Sequence, residues 1–366
     1  METIPFNDLN QHHEPLRDEL NAAIQSVIDA SAFIRGPHVD QFEAAFCELT
    51  GRNHTVSCSD GTTALYIAMR ALGAGPGDEV IVPGMSWIST SETVSQTGAT
   101  VKFCDITADT HVIDPASLEQ AITPHTVGII PVHLYGHPAP MPQIMKIAEN
   151  HGLWVLEDTA QAHLAKIDGR MVGSFGSAAT YSFYPGKNLG AMGDAGAITT
   201  DNPELARKMA MFARHGGLKK GDHQIEGINS RLDGMQAAIL NVKIPYLPQW
   251  TKLRQQAATR YLDSLNGVNS FKLPAVSADC EPVWHLFVVK AKNRDGLAAH
   301  LRDRGIQTVI NYPRALPFLP CYSGQNNTPE DFPNSYELQN TCLSLPIFPE
   351  MSEAQIATVV NALKSW

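Results

Sequence analysis

No apolar run in this 366-residue sequence approaches the roughly 18 positions that a membrane span needs. The start, Met1-Glu2-Thr3-Ile4-Pro5, has no basic segment leading into an apolar one, so no secretory leader is read there. Basic residues are in deficit. The 27 Lys and Arg against 37 Asp and Glu leave a net charge of −10, which argues against nucleic acid or an anionic membrane as the main partner. Cysteine is sparse: the six at 47, 58, 104, 280, 321 and 342 form no C-x-x-C pair and read as reduced thiols of a cytoplasmic protein. No G-x-G-x-x-G follows an early strand, which removes the fingerprint of a nicotinamide oxidoreductase. His133-Leu134-Tyr135-Gly136-His137 has no third ligand nearby, so no metal is expected.

What is present is globular stock, 43% hydrophobic and 17% charged, which excludes a disordered or fibrous chain. Short β-branched or aromatic runs bounded by Gly, Pro or Asp predict strands at 55–58, 80–82, 101–105, 127–133, 153–157, 178–183 and 197–199. Helical patterns lie between several of them. Ala64, Leu65, Ala68, Met69 and Leu72 give 62–72 an apolar face, Asp114-Pro115 opens a helix at 116–122, and 141–150 is closed by Gly152. This alternation means an α/β fold with a mixed, mostly parallel sheet flanked by helices.

After residue 200 a helix at 203–215 precedes a polar loop, and then a helical stretch at 232–265 is broken by Pro245 and Pro248. The tail reads strand (284–290), helix (296–304), strand (307–312) and a final helix opened by the capping box Ser352-Glu353-Ala354-Gln355. A large α/β domain over 1–250 and a smaller α+β domain over 251–366 are expected.

Ser182-Phe183-Tyr184-Pro185-Gly186-Lys187-Asn188 places a lysine just past a strand end. It reads as an exposed turn lysine or as a Schiff-base lysine at the edge of an open α/β sheet. A phosphate-binding Walker loop is excluded, because Tyr181 and Asn188 stand where Gly and Ser/Thr are needed. The strand ending in Glu157-Asp158 supplies carboxylates suited to a protonated pyridine nitrogen, or simply to capping; Gln161 follows within reach. Ser59-Asp60-Gly61-Thr62-Thr63, between strand and helix, reads as a phosphate cradle or a plain N-cap. Trp87 is a core residue or a plate for a planar ring.

Taken together these segments resemble the DegT/StrS sugar nucleotide aminotransferases, pyridoxal 5'-phosphate (PLP) enzymes of the aspartate aminotransferase fold (fold type I). The matching motifs run through nearly the whole chain: Phe33 to Pro37, Asp60-Gly61-Thr62, Gly77 to Pro83, Pro131 to Gly136, Glu157 to Gln161, Ser182 to Asn188, Gly193 to Gly196, Asn229 to Asp233 and Leu343 to Pro346. The resemblance implies that Lys187 forms the Schiff base and shuttles the proton, Asp158 pairs with the pyridine nitrogen, and Gln161 sits by the phenolic oxygen. It implies further that Gly61, Thr62, Thr63 and Ser182 hold the phosphate, that Trp87 stacks on the ring, and that Asn229 reaches the phosphate from the neighbouring subunit of a homodimer. Asp60, Thr159, Leu164 and Asn311 stand where common family patterns have Asn, Ala, Gly and His.

The implied reaction passes an amino group from glutamate, through the pyridoxamine form of the cofactor, to C3 or C4 of a nucleotide-linked keto-deoxy sugar. A PLP-dependent sugar dehydratase and a non-catalytic regulatory protein on the same fold are the alternatives; such dehydratases carry His where Lys187 stands. The basic cluster Arg214, Lys219, Lys220 and Arg231, with Tyr312 from the tail, is the candidate substrate contact, although such charges are also ordinary for a solvated face.

Overall fold

The computed structural model describes residues 3–366, so Met1 and Glu2 of the start segment lie outside it. Seven strands build the central sheet: β1 (His54–Cys58), β2 (Glu79–Pro83), β3 (Thr100–Cys104), β4 (Thr126–Ile129), β5 (Trp154–Asp158), β6 (Ala178–Ser182) and β7 (Gly196–Thr200). Their spatial order is β1-β7-β6-β5-β4-β2-β3. All neighbours are parallel except β7, which runs against both β1 and β6. Each of the seven strands predicted between residues 55 and 199 is found. The one at 127–133 ends early, because Pro131 has no N–H for the ladder; only Val132 bridges back, to Asp158.

Side-chain alternation assigns the two faces of the sheet. Along β6, Ala178 joins the core made with the helices Gly61–Leu72 and Pro203–Ala213. Ala179, Tyr181 and Phe183 point the other way, into a core with Leu20, Phe42, Phe46 and Leu240. That second core rests on the helices Arg17–Asp29, Pro37–Thr50 and Gly234–Lys243. Pro245 and Pro248 split the predicted 232–265 stretch as expected: a 3-10 turn, Ile244–Tyr246, separates Gly234–Lys243 from Leu247–Leu265.

In the tail, β8 (Phe287–Lys290) pairs antiparallel with β9 (Cys342–Leu345). The predicted strand at 307–312 is not a strand. It makes single bridges at Ile306 and Val309, and further along the Asn311 side chain takes the Ser344 hydroxyl (2.8 Å) in place of a backbone ladder. The expected division near residue 250 falls inside the helix Leu247–Leu265. Leu286, Val288, Ala315 and Leu338 pack in one core with Ile81, Met85 and Ile129 of the sheet region. Ile4 in turn belongs to the core formed by residues 257–363.

No described helix is long and apolar enough to cross a membrane, and all six cysteines are free thiols. Among the described residues, no three His, Cys, Asp or Glu side chains gather as a metal cluster.

Candidate active site

The ends of β5 and β6 open onto one cavity of about 730 Å³, within the range of small-molecule sites. Beyond β6 the chain is pinned by Phe183, fully buried and edge-on to Phe42 and Phe46 at 5.3 Å. The turn that follows carries Lys187, whose N–H donates to the Tyr184 carbonyl (2.8 Å). Its side chain lines the cavity, and Nζ has no hydrogen-bond partner among the described residues. Desolvation pushes the Lys187 ammonium down to about 8, against the opposing pull of Asp158.

Asp158 lines the same cavity. It accepts the Thr90 hydroxyl at 3.0 Å and the Ala160 N–H at 3.2 Å. Burial raises its pKa; these two bonds and the Lys187 charge act the other way. Its neighbour Glu157 points to the opposite face of β5, as period two requires. There it accepts N–H groups of Gly173, Phe175 and Gly176 at 2.7–2.8 Å, and His133 Nε2 lies at 3.2 Å. Because Ala139 N–H donates to His133 Nδ1 (2.9 Å), Nε2 is assigned the proton and donates to Glu157. Burial alone would raise the Glu157 pKa, but the His133 contact and the main-chain donors outweigh it and the pKa falls. Of the two adjacent carboxylates, only Asp158 is free to serve the cavity.

The helix Gly61–Leu72 begins at the cavity wall. Asp60 caps it, accepting the Thr63 N–H at 2.7 Å. The first-turn N–H groups of Gly61 and Thr62 stay free of the helix ladder. A Cβ on Gly61 would stand 2.6 Å from Ser182 Cβ, so glycine is what lets the helix start approach Ser182. Thr62 shares a 2.6 Å hydrogen bond with Ser89 and lines the cavity. Thr63 does not line it. Its hydroxyl donates to Asp60 at 2.6 Å, because one further helical position turns it about 100° away.

Trp87 is 57% exposed at the cavity, which removes the reading of it as core. Its ring centroid lies 5.5 Å from that of Tyr312. Gln161 is held at both ends: Oε1 accepts the Tyr135 N–H (2.6 Å) and Nε2 donates to the Tyr312 hydroxyl (2.9 Å). The basic cluster and Asn229 lie elsewhere, Arg214 included, which lines a separate surface cleft with Glu43 and Cys47. Lys219, Lys220 and Asn229 are exposed and Arg231 is partly buried, and none of the four lines this cavity. They belong to the loop after Pro203–Ala213, which returns along that helix end through the Arg214–Asn229 bridge.

Among the wall residues that escaped the sequence reading are His285 and Arg254. His285 is fixed by Asn188: Asn188 Nδ2 donates to the Val283 carbonyl (3.1 Å), so its Oδ1 accepts from His285 Nδ1 (3.2 Å). Arg254 is 4% exposed. A signal for it exists, since it falls four residues after Trp250 and three before Ala257, on the apolar stripe of its helix.

The description of the DegT/DnrJ/EryC1/StrS aminotransferase family matches residues 15–364. The chain belongs to that family. It is 43% identical to a dTDP-3-amino-3,4,6-trideoxy-alpha-D-glucose transaminase of Streptomyces venezuelae, over 99% of this chain and 96% of the relative. It is also 43% identical to a UDP-N-acetyl-3-dehydro-alpha-D-glucosamine 3-aminotransferase of Acidithiobacillus ferrooxidans, over 99% and 97%. The crystal structure of S. venezuelae DesV in complex with a ketimine intermediate superimposes with a TM-score of 0.98 at 42% identity, over 100% of this chain and 99% of that one. The family match spans both sides of residue 250.

Proposed function

We propose that this protein is a PLP-dependent aminotransferase that passes an amino group from L-glutamate to a nucleotide-linked keto-deoxy sugar. The observation that carries the reading is an unpartnered, desolvated Lys187 sharing one cavity with Asp158 in a member of this aminotransferase family.

The residues fit the cofactor. Free N–H groups at the start of Gly61–Leu72, with the Thr62 and Ser182 hydroxyls, suit a phosphate dianion. Asp158, kept in place by Thr90 and Ala160, would hold the proton of the pyridine nitrogen. Trp87 offers an exposed aromatic face, and Gln161 Nε2 a donor beside it. When bound, PLP supplies the electron sink that makes the carbon bearing the amino group acidic. Lys187 Nζ would hold the cofactor covalently and, once displaced by the donor amine, take the proton from that carbon and return it one position away. Donor and acceptor would use the cavity in turn, so double-reciprocal plots for glutamate and keto-sugar should be parallel; intersecting lines would contradict the scheme.

Only the neutral amine attacks an aldehyde. With the Lys187 ammonium lowered to about 8, covalent capture of PLP by the apo-protein should speed up about tenfold per pH unit below that point and level off above it. Stopped-flow absorbance checks this. A rate still climbing toward the ordinary lysine value of 10.5 would show that the amine is not desolvated.

The functional unit is a homodimer with shared sites, located in the cytoplasm. Asn229 is exposed and outside its own chain's cavity, which supports a role in a second copy's site; Lys219, Lys220 and Arg231 follow the same logic as contacts for the anionic nucleotide. The free thiols support the location. Mixing inactive Lys187→Ala protein with Asn229→Ala protein should then restore one intact site per hybrid dimer. Recovery is expected at about a quarter of native activity at equal mixing; no recovery after subunit exchange would mean that the sites are not shared.

A further inference from the structure

We propose that Arg254 is the subsite that receives the α-carboxylate of the amino donor; this rests on the aminotransferase reading above. Arg254 and Lys187 are the two cationic side chains on the cavity wall. If Lys187 is taken up by the cofactor, Arg254 is the positive charge left for a substrate anion.

Its setting is that of a buried cation with no carboxylate in ion-pair contact, although Glu350, whose Oε2 is buried without a partner, exerts its field on it. Arg254 is 4% exposed. Its Nη1 donates to the carbonyls of Ile347 (2.8 Å), Trp284 (3.3 Å) and His285 (3.5 Å). Those bonds fix the guanidinium and neutralise nothing. Nε is buried without a partner, and Nη2 makes no hydrogen bond among the described residues. Glu350, whose field acts on Arg254, lies beyond ion-pair distance, and its Oε1 is taken by His12 at 2.7 Å. A buried, unpaired charge is strongly unfavourable, and buried polar atoms left unpaired call for a reason. With Nη1 committed to carbonyls and Nε shut off from the cavity, Nη2 is the donor left to make a charge-assisted hydrogen bond to a carboxylate oxygen.

Position selects which anion. His285 links the two cations: its imidazole is bonded to Asn188, the residue after Lys187, and its carbonyl is 3.5 Å from Arg254 Nη1. An α-carboxylate is one bond from the carbon on which Lys187 would act. A nucleotide diphosphate is far bulkier and heavily hydrated, and is poorly matched to so buried a guanidinium.

The test uses the holoenzyme. The wild type should react with L-glutamate at least about 100-fold more efficiently than with 4-aminobutyrate, which lacks the α-carboxylate. Arg254→Met should remove that preference and raise the apparent Kd for glutamate by about 100-fold, with Arg254→Lys in between. The keto-sugar KM and cofactor retention should stay within a few-fold of wild type. Calorimetry with glutarate, an unreactive dicarboxylate, should show the same loss of binding in Arg254→Met. The proposal is overturned if the wild type treats the two donors alike, if Arg254→Lys and Arg254→Met leave the glutamate constants unchanged, or if only the nucleotide-sugar KM rises. A wild type that reacts with no amino donor would instead sink the aminotransferase reading itself.

Discussion

Lys187→Ala protein is expected to lose turnover by at least about 10⁴-fold, because the substitution removes both the covalent anchor and the group that moves the proton. Borohydride reduction should fix cofactor to the Lys187 peptide in the wild type and to no peptide in the variant. The fold should not suffer. Nζ has no hydrogen-bond partner among the described residues and its charged form is desolvated, so its removal breaks no internal bond and relieves a buried charge. An unchanged or slightly higher Tm with activity gone is the expected pair of results. Native turnover in the variant would remove Lys187 from the mechanism.

Asp158→Asn is the second large effect. The amide keeps the shape and can still accept the Thr90 hydroxyl, but it no longer carries the charge that keeps a pyridine nitrogen protonated. Turnover should fall by about 10²–10⁴-fold. A second readout follows from the same geometry. Asp158 raises the Lys187 pKa by its charge, so removing that charge should move the pH midpoint of PLP capture below about 8. A variant that loses activity with the midpoint unmoved would show that the two groups do not interact. Glu157→Gln should behave differently: it disturbs four hydrogen bonds to a fully buried carboxylate, so it should lower stability by about 2–4 kcal/mol while folded protein keeps most of its activity.

That contrast between adjacent carboxylates shows how far the sequence could be read. The Glu157-Asp158 pair was visible at a strand end, but its division of labour depends on which face of β5 each residue occupies and on what packs there. The seven central strands were legible because each is a short β-branched or aromatic run between turn residues. β9 was not: Cys342–Leu345 follows the helix Pro333–Thr341 directly, with no turn residue to announce the change. The helices Arg17–Asp29 and Pro37–Thr50 were also missed, although Pro37 behind Gly36 is a start signal of the kind used elsewhere.

In the site, residues beside a strand end or a helix start were found, because those positions have a fixed relation to the sheet edge. Thr62 and Thr63 could not be separated by type, only by the helical turn between them. Arg254 and His285 come from distant segments, and their place on the wall is created by the packing of the tail against the sheet. Charge density drew attention to residues that lie off their own chain's cavity. Lys219 and Lys220 are conspicuous in the sequence because they sit together in a polar loop, whereas the cation that shares the cavity with Lys187 is a single arginine on an otherwise apolar stripe.

The most direct test of the central claim is a single half-reaction. Purified protein in its pyridoxamine phosphate form is mixed with a panel of dTDP- and UDP-linked 3-keto and 4-keto sugars, without any amino donor, and the absorption spectrum and sugar product are followed. The account predicts that at least one keto-sugar converts the cofactor to its aldehyde form and leaves with one added amino group per site. A panel that leaves the spectrum unchanged, or a product that has lost a hydroxyl and gained no nitrogen, would contradict it.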